Sequence, residues 1–303
     1  MTKDFITLLD CTEAEITALL DLADALRDAG RADRRAGQLP QNLKGKSLAL
    51  IWDAGGFRNR VSFELGIAQM GGIAVQVPGQ LDGRESIEDV ARYLDNWFDG
   101  IVTRTQTMCH MQRLAAASGK PVINARTDFN HPCEILGDLA YIRTKRCTLE
   151  GLKVVFAGEA TNLCHPWFAA AARLPIEVVQ VCPEGYAVSE AFLSGAREDA
   201  VGALRVSHDL EAELKDAGVV YTDCWPTRKT PKDHTRIAQQ FLPYQITTDR
   251  LRSAPSDVLF LPCPPVTRGE EVSADAMAYL GHQVYEAKEY LLHAQNAVLT
   301  TLI

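Results

Sequence analysis

The 303-residue sequence lacks long apolar runs and an excess of basic residues. No run of about 18 apolar residues occurs, so no ordinary transmembrane helix is expected. Asp and Glu outnumber Lys and Arg by 39 to 31, which gives a formal net charge of −8. Nucleic acid or an anionic membrane as the main partner would need a basic face, and neither is predicted. Since no basic-then-apolar leader opens the chain, we expect a cytoplasmic protein.

Cysteine and histidine are present without the spacing of a disulfide framework or a metal site. The eight cysteines include no CxxC pair, and in a chain of this length without a secretion signal we expect them to be reduced and mostly buried. The seven histidines form no HExxH motif, so no metal is predicted. The segment VVFAGEATNL has one glycine where the dinucleotide fingerprint needs several, which argues against NAD. No cofactor is therefore predicted.

The sequence does contain a regular alternation of short apolar runs and helix-length amphipathic stretches. This pattern is typical of an α/β fold in which helices cover parallel sheets. We predict two doubly wound parallel-sheet domains, over 1–146 and 147–282, joined by interdomain helices, with a last helix over about 283–303 that completes the first domain. The predicted strands lie in KSLALIW, IAVQVPG, FDGIVTRT, KPVINA, LKVVFAG, IEVVQVCP, GVVYTDCW and DVLFLPCP.

The segment WDAGGFRNR lies between the first predicted strand and an amphipathic helix pattern that begins near Val61. Backbone N–H groups at a helix N-terminus are unpaired and favour an anion, and adjacent glycines let the anion approach closely. The segment therefore predicts an anion site around Arg58. It is an unusual one, because Gly56, Phe57 and Asn59 offer no hydroxyl group to a phosphate.

Polar side chains follow most of the predicted strands. Ligands of open α/β sheets bind outside the carboxyl ends of the strands, so these side chains are the candidate binding residues. We expect them to line a cleft between the two domains. They are Arg58, Asn59, Gln80, Arg84, Arg104, His131, Glu134, Asn162, Asp223, Cys263 and Arg268.

The order of several motifs resembles that of the transcarbamylases, and specifically of their ornithine carbamoyltransferase branch, over nearly the full length. The resemblance implies the transcarbamylase fold, with a carbamoyl phosphate domain followed by an amino-acid-binding domain. The implied reaction is attack by a substrate amine on the carbonyl of carbamoyl phosphate, with phosphate leaving. The matching segments are LLDCTEAEITALLDLADALR, RVSFELGIAQMGG, RESIEDVARYLDNWFDGIVTRT, PVINARTDFNHPCEILGDL, TDCW, RGEEV and HAQNAVL.

The same resemblance implies roles for individual residues and an assembly. A homotrimer is implied, in which the loop PGQLDGRES inserts Gln80 and Arg84 into a neighbouring active site. Asn162 is implied to contact the carboxylate of the acceptor amino acid, and Asp223 its amine. The implied catalytic residues are Arg58, Arg104, His131 and Cys263.

The donor site departs most from the family pattern. The family's STRTR cradle reads GFRNR at 56–60, so both arginines remain and all three hydroxyl residues are lost. Glu134 stands where the family has a glutamine, and Leu291 where it has an arginine, a change of two charge units against phosphate. We expect Phe57 to make the pocket smaller and more apolar.

On the acceptor side the main change is in the lid loop. The family's SMG motif becomes Thr227, Arg228 and Lys229, which makes the loop basic. Either the loop is simply solvated, or it closes on the site and binds an acidic group.

Two functions remain open. The first is a transferase that moves a carbamoyl or related group onto an amino-acid amine, with an altered donor or acceptor and weak or absent ordinary ornithine carbamoyltransferase activity. The second is a catalytically inactive relative that binds an amino acid or partner subunits. The implied catalytic and amino-acid-binding residues survive together, which favours the first.

Overall fold

The computed structural model of the protein describes residues 1–33, 40–53, 55–79, 81–228 and 231–303. The chain divides into two compact units. The first contains Met1–Tyr141 and Lys288–Ile303, and the second contains Ile142–Ala287. Each unit is built on one parallel sheet with helices, so the predicted α/β class with two parallel-sheet domains is confirmed.

All nine strands of the described residues pair in parallel, in the order β2-β1-β3-β4 in the first unit and β7-β6-β5-β8-β9 in the second. Each of the eight predicted apolar runs contains a strand. The strands are β1 Ser47–Trp52, β2 Ile73–Val77, β3 Gly100–Arg104, β4 Val122–Arg126, β5 Lys153–Ala157, β6 Glu177–Val181, β7 Ala203–Ser207, β8 Val219–Thr222 and β9 Leu259–Pro262.

Strand β7 was not predicted, because it lies at a sheet edge and has no apolar run. Its side chains are only partly buried, and Arg205 in its centre forms ion pairs with Glu177 at 2.7 Å and Glu213 at 2.9 Å. The central strands β5 and β8 are instead buried throughout, as expected of parallel strands covered on both faces.

The α-helices cover the sheets and alternate with the strands along the chain. Short 3-10 helices lie at Leu8–Asp10, Pro226–Arg228, Pro231–Asp233 and Leu242–Tyr244. The α-helices are α1 Glu13–Asp33, α2 Phe57–Gln69, α3 Ile87–Asp95, α4 Met108–Ala117, α5 Pro132–Arg146, α6 Cys164–Arg173, α7 Glu190–Arg197, α8 Leu210–Leu214, α9 His234–Phe241, α10 Thr248–Ser253, α11 Ala274–Tyr279 and α12 His282–Leu302.

Helix α2 begins at Phe57, earlier than the predicted start near Val61. The residues of its first turn are mostly polar, so the apolar periodicity used to locate the helix is not visible in them. Gly56 precedes the helix in the left-handed conformation, with φ of 75°. Arg58 and Asn59 therefore lie in the first helical turn and not in the preceding loop.

Within the first unit the C-terminal part of α12 packs tightly against α5. A Cβ added at Gly137 would lie 2.9 Å from Cα of Leu291, so the two helix backbones meet here. The rings of Tyr141 and Tyr290 are 5.4 Å apart in an edge-to-face arrangement. Arg27 Nη1 donates a hydrogen bond to Tyr290 Oη at 2.7 Å, which ties α12 to α1. This packing fixes the α12 side chains that face the candidate site.

Three structural findings, on cysteines, metal ligands and membrane-spanning helices, apply to the described residues only. All eight cysteines are free thiols, and five of them are buried. In the ranges given above, no three or more His, Cys, Asp or Glu side chains group as metal ligands do. None of the described helices combines the length and apolar character that crossing a bilayer requires.

Candidate functional site

A cluster of cationic and polar side chains lies where β1 and β3 of the first unit end. Arg104 is the last residue of β3, and its guanidinium packs directly against Gly56. A Cβ added at Gly56 would lie 2.5 Å from Cζ of Arg104. The left-handed backbone at this position also favours glycine. The close approach of Arg104 therefore requires a glycine at position 56, where the family has a residue with a hydroxyl group.

His131 lies directly before α5 and contacts the first turn of α2. Its Nε2 atom is 3.4 Å from Nδ2 of Asn59 and 3.6 Å from Oε2 of Glu134. Burial is the main reason that the pKa of His131 falls to about 4; the charge of Glu134 opposes this effect, and the charges of Arg104 and Arg126 add to it. The imidazole is therefore neutral near pH 7.

Two buried polar atoms of this cluster have no hydrogen-bond partner within the described ranges. They are Nδ1 of His131 and Oδ1 of Asn59. When Nε2 of the neutral imidazole accepts a hydrogen bond from Asn59 Nδ2, the proton of the ring is on Nδ1. A buried N–H group without a partner needs an explanation.

Glu134 lies one helical turn after His131 and is also buried. Its Oε1 atom is 2.6 Å from Nζ of Lys288, and Oδ1 of Asp138 is 2.9 Å from the same nitrogen. Burial alone raises the pKa of Glu134, but the charge of Lys288 outweighs burial and lowers the pKa to about 2; the charge of His131, which is protonated at the low pH where Glu134 titrates, and the charge of Arg58 add to this effect. The carboxylate therefore stays ionised. Sequence reasoning missed Lys288, whose positive charge is shared between Glu134 and Asp138 and therefore offsets only part of the change in charge at positions 134 and 291.

Arg58 lies in the first turn of α2 with its guanidinium over the ring of Phe57, 4.9 Å from the ring centroid. Such a cation–π contact holds the arginine in place. The Phe57 side chain is 68% exposed. Within this chain Phe57 therefore supports Arg58, and its expected effect on the size and polarity of the pocket stays a prediction.

Two further residues complete the cluster in the first unit. Leu291 is buried against α5 and supplies no charge. Arg126 ends β4 in register with Arg104, so its charge reaches His131. Sequence reasoning did not select Arg126, although its position at the end of the KPVINA run carried the same signal as that of Arg104.

The loop between β2 and α3 carries the residues implied to enter a neighbouring site. Arg84 is exposed on this loop, where it lines a cleft of about 650 Å³ together with Ile51, Val77 and Leu81. Gln80 lies outside the described residues. The same holds for Lys229 in the lid loop and for the side chain of Arg228.

In the second unit the predicted residues follow three adjacent strands. Asn162 lies in the segment between β5 and α6, Asp223 directly follows β8, and Cys263 directly follows β9. Oδ1 of Asp223 accepts a hydrogen bond from the N–H of Cys224 at 2.8 Å. The N–H of Cys263 donates to the carbonyl oxygen of Thr222 at 2.8 Å, which joins the ends of β8 and β9. The carboxyl edge of the second sheet thus brings these segments together.

Thr227 is buried, and its side chain fixes the RGEEV segment. Its Oγ1 atom donates a hydrogen bond to Oε2 of Glu270 at 2.6 Å. Nε2 of His234 lies 3.2 Å from the other oxygen of the same carboxylate. Glu270 therefore links the start of the lid loop to α9.

Glu271 is a buried carboxyl group in the same segment. Burial is the main reason that its pKa rises to about 7; a hydrogen bond from the N–H of Thr267 opposes this effect, and the charges of Asp223 and Glu270 add to it. Its Oε2 atom has no hydrogen-bond partner in the part of the chain that the structure describes. A protonated carboxyl group at this position is consistent with both observations.

Glu271→Gln is expected to reduce the loss of stability as the pH rises. Because the folded-state pKa of Glu271 is raised, its contribution to stability is complete below about pH 4.5 and is lost as the pH rises through about 7. This group should cost the wild type about 2 kcal/mol between pH 5 and pH 8, and the variant should not show that loss. Urea denaturation at both pH values measures the difference. Glu198→Gln, at an exposed carboxyl group of the same unit, is the control, and equal pH dependence in all three proteins would contradict the prediction.

Two models of known domain families match the chain. Residues 3–144 match "Aspartate/ornithine carbamoyltransferase, carbamoyl-P binding domain". Residues 150–302 match "Aspartate/ornithine carbamoyltransferase, Asp/Orn binding domain". The two matches together cover almost the whole chain.

Similar proteins are named ornithine carbamoyltransferase. One from Oceanobacillus iheyensis is 36% identical, over 99% of this chain and 94% of that protein. One from Pyrococcus horikoshii is 35% identical, over 99% of this chain and 96% of that protein. The solved structure of ornithine carbamoyltransferase from Pyrococcus furiosus matches with a TM-score of 0.90 and 34% identity, over 98% of this chain and 95% of that one.

Proposed function

The chain belongs to the aspartate/ornithine carbamoyltransferase family, and on that basis we propose that it moves a carbamoyl or closely related group from an anionic donor onto the amine of an amino acid. We further propose that its donor or acceptor differs from that of ornithine carbamoyltransferase. The observation that carries the proposal is the cluster of Arg58, Arg104 and a buried neutral His131 in the first unit.

The donor chemistry needs cations at the leaving group and a hydrogen-bond donor at the carbonyl. Negative charge develops on phosphate as its bond to the carbonyl carbon breaks, and fixed guanidinium groups stabilise that charge. Arg58 and Arg104 are the proposed phosphate ligands. His131 is suited to polarising the carbonyl oxygen, because a neutral imidazole donates its N–H without giving up a proton.

The acceptor chemistry needs a positioned, uncharged amine. Its nitrogen attacks the carbonyl carbon, the carbon–oxygen bond to phosphate breaks with the electron pair leaving on phosphate, and the nitrogen loses a proton. Asp223 is the proposed ligand of the amine, and Asn162 the proposed ligand of the acceptor's carboxylate. The negative charges of Asp223 and Glu270, both of which reach Glu271, support an acceptor whose amine arrives as a cation.

A labelled transfer assay tests the proposed reaction. The protein is incubated with [13C]carbamoyl phosphate and, separately, with ornithine, lysine and shorter diamino acids, and mass spectrometry detects the labelled product. A thermal-shift screen of the same compounds selects those that bind, because a ligand of the folded state raises the melting temperature by mass action. Transfer to at least one amine is expected. Stabilisation by an amino acid with no product from any amine would favour the catalytically inactive relative.

We also propose that the protein is a homotrimer, as its family resemblance implies. An exposed apolar face on α2 and the adjacent edge strand β2 supports self-association, because large apolar patches on a free surface are rare. On α2 the exposed residues recur every four positions, which places them on one side of the helix. The face consists of Phe57, Val61, Leu65, Ile73 and Val75.

Leu65→Lys is expected to dissociate the trimer. A lysine in the centre of an apolar contact would have to be buried without a partner, which costs several kcal/mol. Light scattering should give about three times the 33.3 kDa chain mass for the wild type and a smaller mass for the variant. Val201→Lys, at an exposed valine of the second unit, is the matched control and should remain trimeric. A monomeric wild type at micromolar concentration would contradict the proposal.

A further inference from the structure

Lys288 connects α12 to the two acidic residues of α5 that face it. Its ammonium group lies 2.6 Å from Oε1 of Glu134 and 2.9 Å from Oδ1 of Asp138. The side chain of Lys288 is 14% exposed, so the ion pair is largely shielded from solvent. Breaking such a buried pair by removing one partner leaves an uncompensated charge, which is far more costly than breaking a surface pair.

The two oxygens of Glu134 have different surroundings. Oε1 contacts Lys288, whereas Oε2 is on the side of His131, 3.6 Å from Nε2, which is beyond hydrogen-bond distance. A carboxylate can only accept hydrogen bonds, so Oε2 suits an N–H group of a ligand and repels an oxygen. Lys288 also contacts Asp138, so its single positive charge is shared between two carboxyl groups and offsets only part of the charge that Glu134 adds where the family has a neutral glutamine.

We propose that Lys288 is a positioning residue of the donor site: it offsets part of the charge of Glu134 and fixes the carboxylate so that Oε2 accepts a hydrogen bond from the donor's NH₂ group. This inference rests on the proposed function. The inference adds a donor specificity to the proposed function. A carboxylate acceptor favours a donor with an N–H group, such as carbamoyl phosphate, over acetyl phosphate, which has a methyl group at the same place.

Calorimetric titration of four proteins with carbamoyl phosphate and acetyl phosphate tests the inference. The proteins are the wild type, Lys288→Met, Glu134→Gln and the double variant. Lys288→Met alone is expected to weaken carbamoyl phosphate binding by about ten- to a hundred-fold, for two reasons: Glu134 loses the counter-charge that limits its repulsion of any phosphate, and its Oε2 atom is no longer held toward the donor's NH₂ group. In the Glu134→Gln background the same replacement should weaken binding by a smaller factor, because the neutral amide needs no counter-charge and only Asp138 then loses its partner.

The second ligand separates positioning from a merely structural role. Loss of structure would weaken both phosphates equally, whereas loss of the positioned acceptor should weaken carbamoyl phosphate more than acetyl phosphate. Circular dichroism shows whether Lys288→Met folds, and the double variant provides a second test if it does not. Lys145→Met is the control, because Lys145 forms an ion pair of similar length, 2.9 Å to Glu286, at an exposed position of the second unit.

The outcomes distinguish this inference from the proposed function. A wild type that binds neither phosphate would overturn both. A wild type that binds carbamoyl phosphate, together with an equal effect of Lys288→Met in both backgrounds, would overturn the role of Lys288 and leave the proposed function standing. Equal weakening of both ligands by Lys288→Met would overturn the proposed selection of an N–H group.

Discussion

Citrulline formation from carbamoyl phosphate and ornithine is expected to be at least about a thousand-fold slower with this protein than with the similar Oceanobacillus iheyensis protein assayed alongside it. The difference corresponds to about 4 kcal/mol of transition-state stabilisation. The reason is the loss of three hydroxyl residues at positions 56, 57 and 59. A hydrogen bond to a charged group contributes about 1.5–3 kcal/mol, and the three losses will not add fully.

Nothing in the described first unit replaces those hydroxyl groups directly. The guanidinium of Arg104 packs against Gly56, Phe57 is exposed, and the amide of Asn59 is beside His131. Lys288 returns a positive charge, but two carboxylates already surround it. Citrulline measured by mass spectrometry under saturating ornithine gives the ratio. Turnover similar to that of the relative would contradict the prediction and would point to substitute donors from the lid loop or from Arg84 of a neighbouring subunit.

Gly56→Ala is expected to weaken phosphate binding by about ten- to a hundred-fold, whereas Gly55→Ala is expected to change it by less than about three-fold. Both glycines have a positive φ, 75° at Gly56 and 50° at Gly55, so both alanines introduce backbone strain. Only at position 56 does the new Cβ meet Arg104, at 2.5 Å. A Cβ at Gly55 meets no described atom within 4 Å.

The two alanine variants therefore distinguish the effect of displacing Arg104 on phosphate binding from the effect of backbone strain. The guanidinium is the end of a flexible side chain and can move, so Gly56→Ala should fold while displacing a proposed phosphate ligand. Equilibrium dialysis with radiolabelled phosphate measures the affinity, and thermal unfolding measures the strain. Equal weakening by both variants would assign the effect to strain and would remove Arg104 from the anion site.

The strands and the family could be predicted from the sequence because their signals are local. Buried parallel strands require continuous apolar runs, and all eight runs contain strands. The predicted resemblance to the ornithine carbamoyltransferase branch and the predicted transcarbamylase fold are confirmed by the family matches and by the solved structure from Pyrococcus furiosus. Edge strand β7 could not be found in the same way, since exposed residues, among them Arg205, interrupt its apolar residues and leave no continuous apolar run.

The charge balance of the candidate site could be predicted only in part. Glu134 and Leu291 were recognised as departures because each aligns with a family motif, whereas Lys288 precedes its motif and meets Glu134 only through the packing of α12 on α5. The coupling between Gly56 and Arg104 is similarly a contact between residues far apart in sequence. Contacts between residues that are distant in sequence depend on how the helices and strands pack, so one sequence does not reveal them. The roles of the site residues stay predictions.

A calorimetric titration of carbamoyl phosphate into the wild type and into Arg58→Met tests most directly whether the first unit binds an anionic donor. Arg58 lies in the first turn of α2 and its charge reaches the Glu134 carboxylate beside His131, so it is the arginine whose loss removes a proposed phosphate ligand without changing the packing of β3. We expect saturable binding of one carbamoyl phosphate per chain in the wild type, weakened at least about ten-fold in the variant. Equal affinity in the two proteins, or no binding by the wild type, would contradict it.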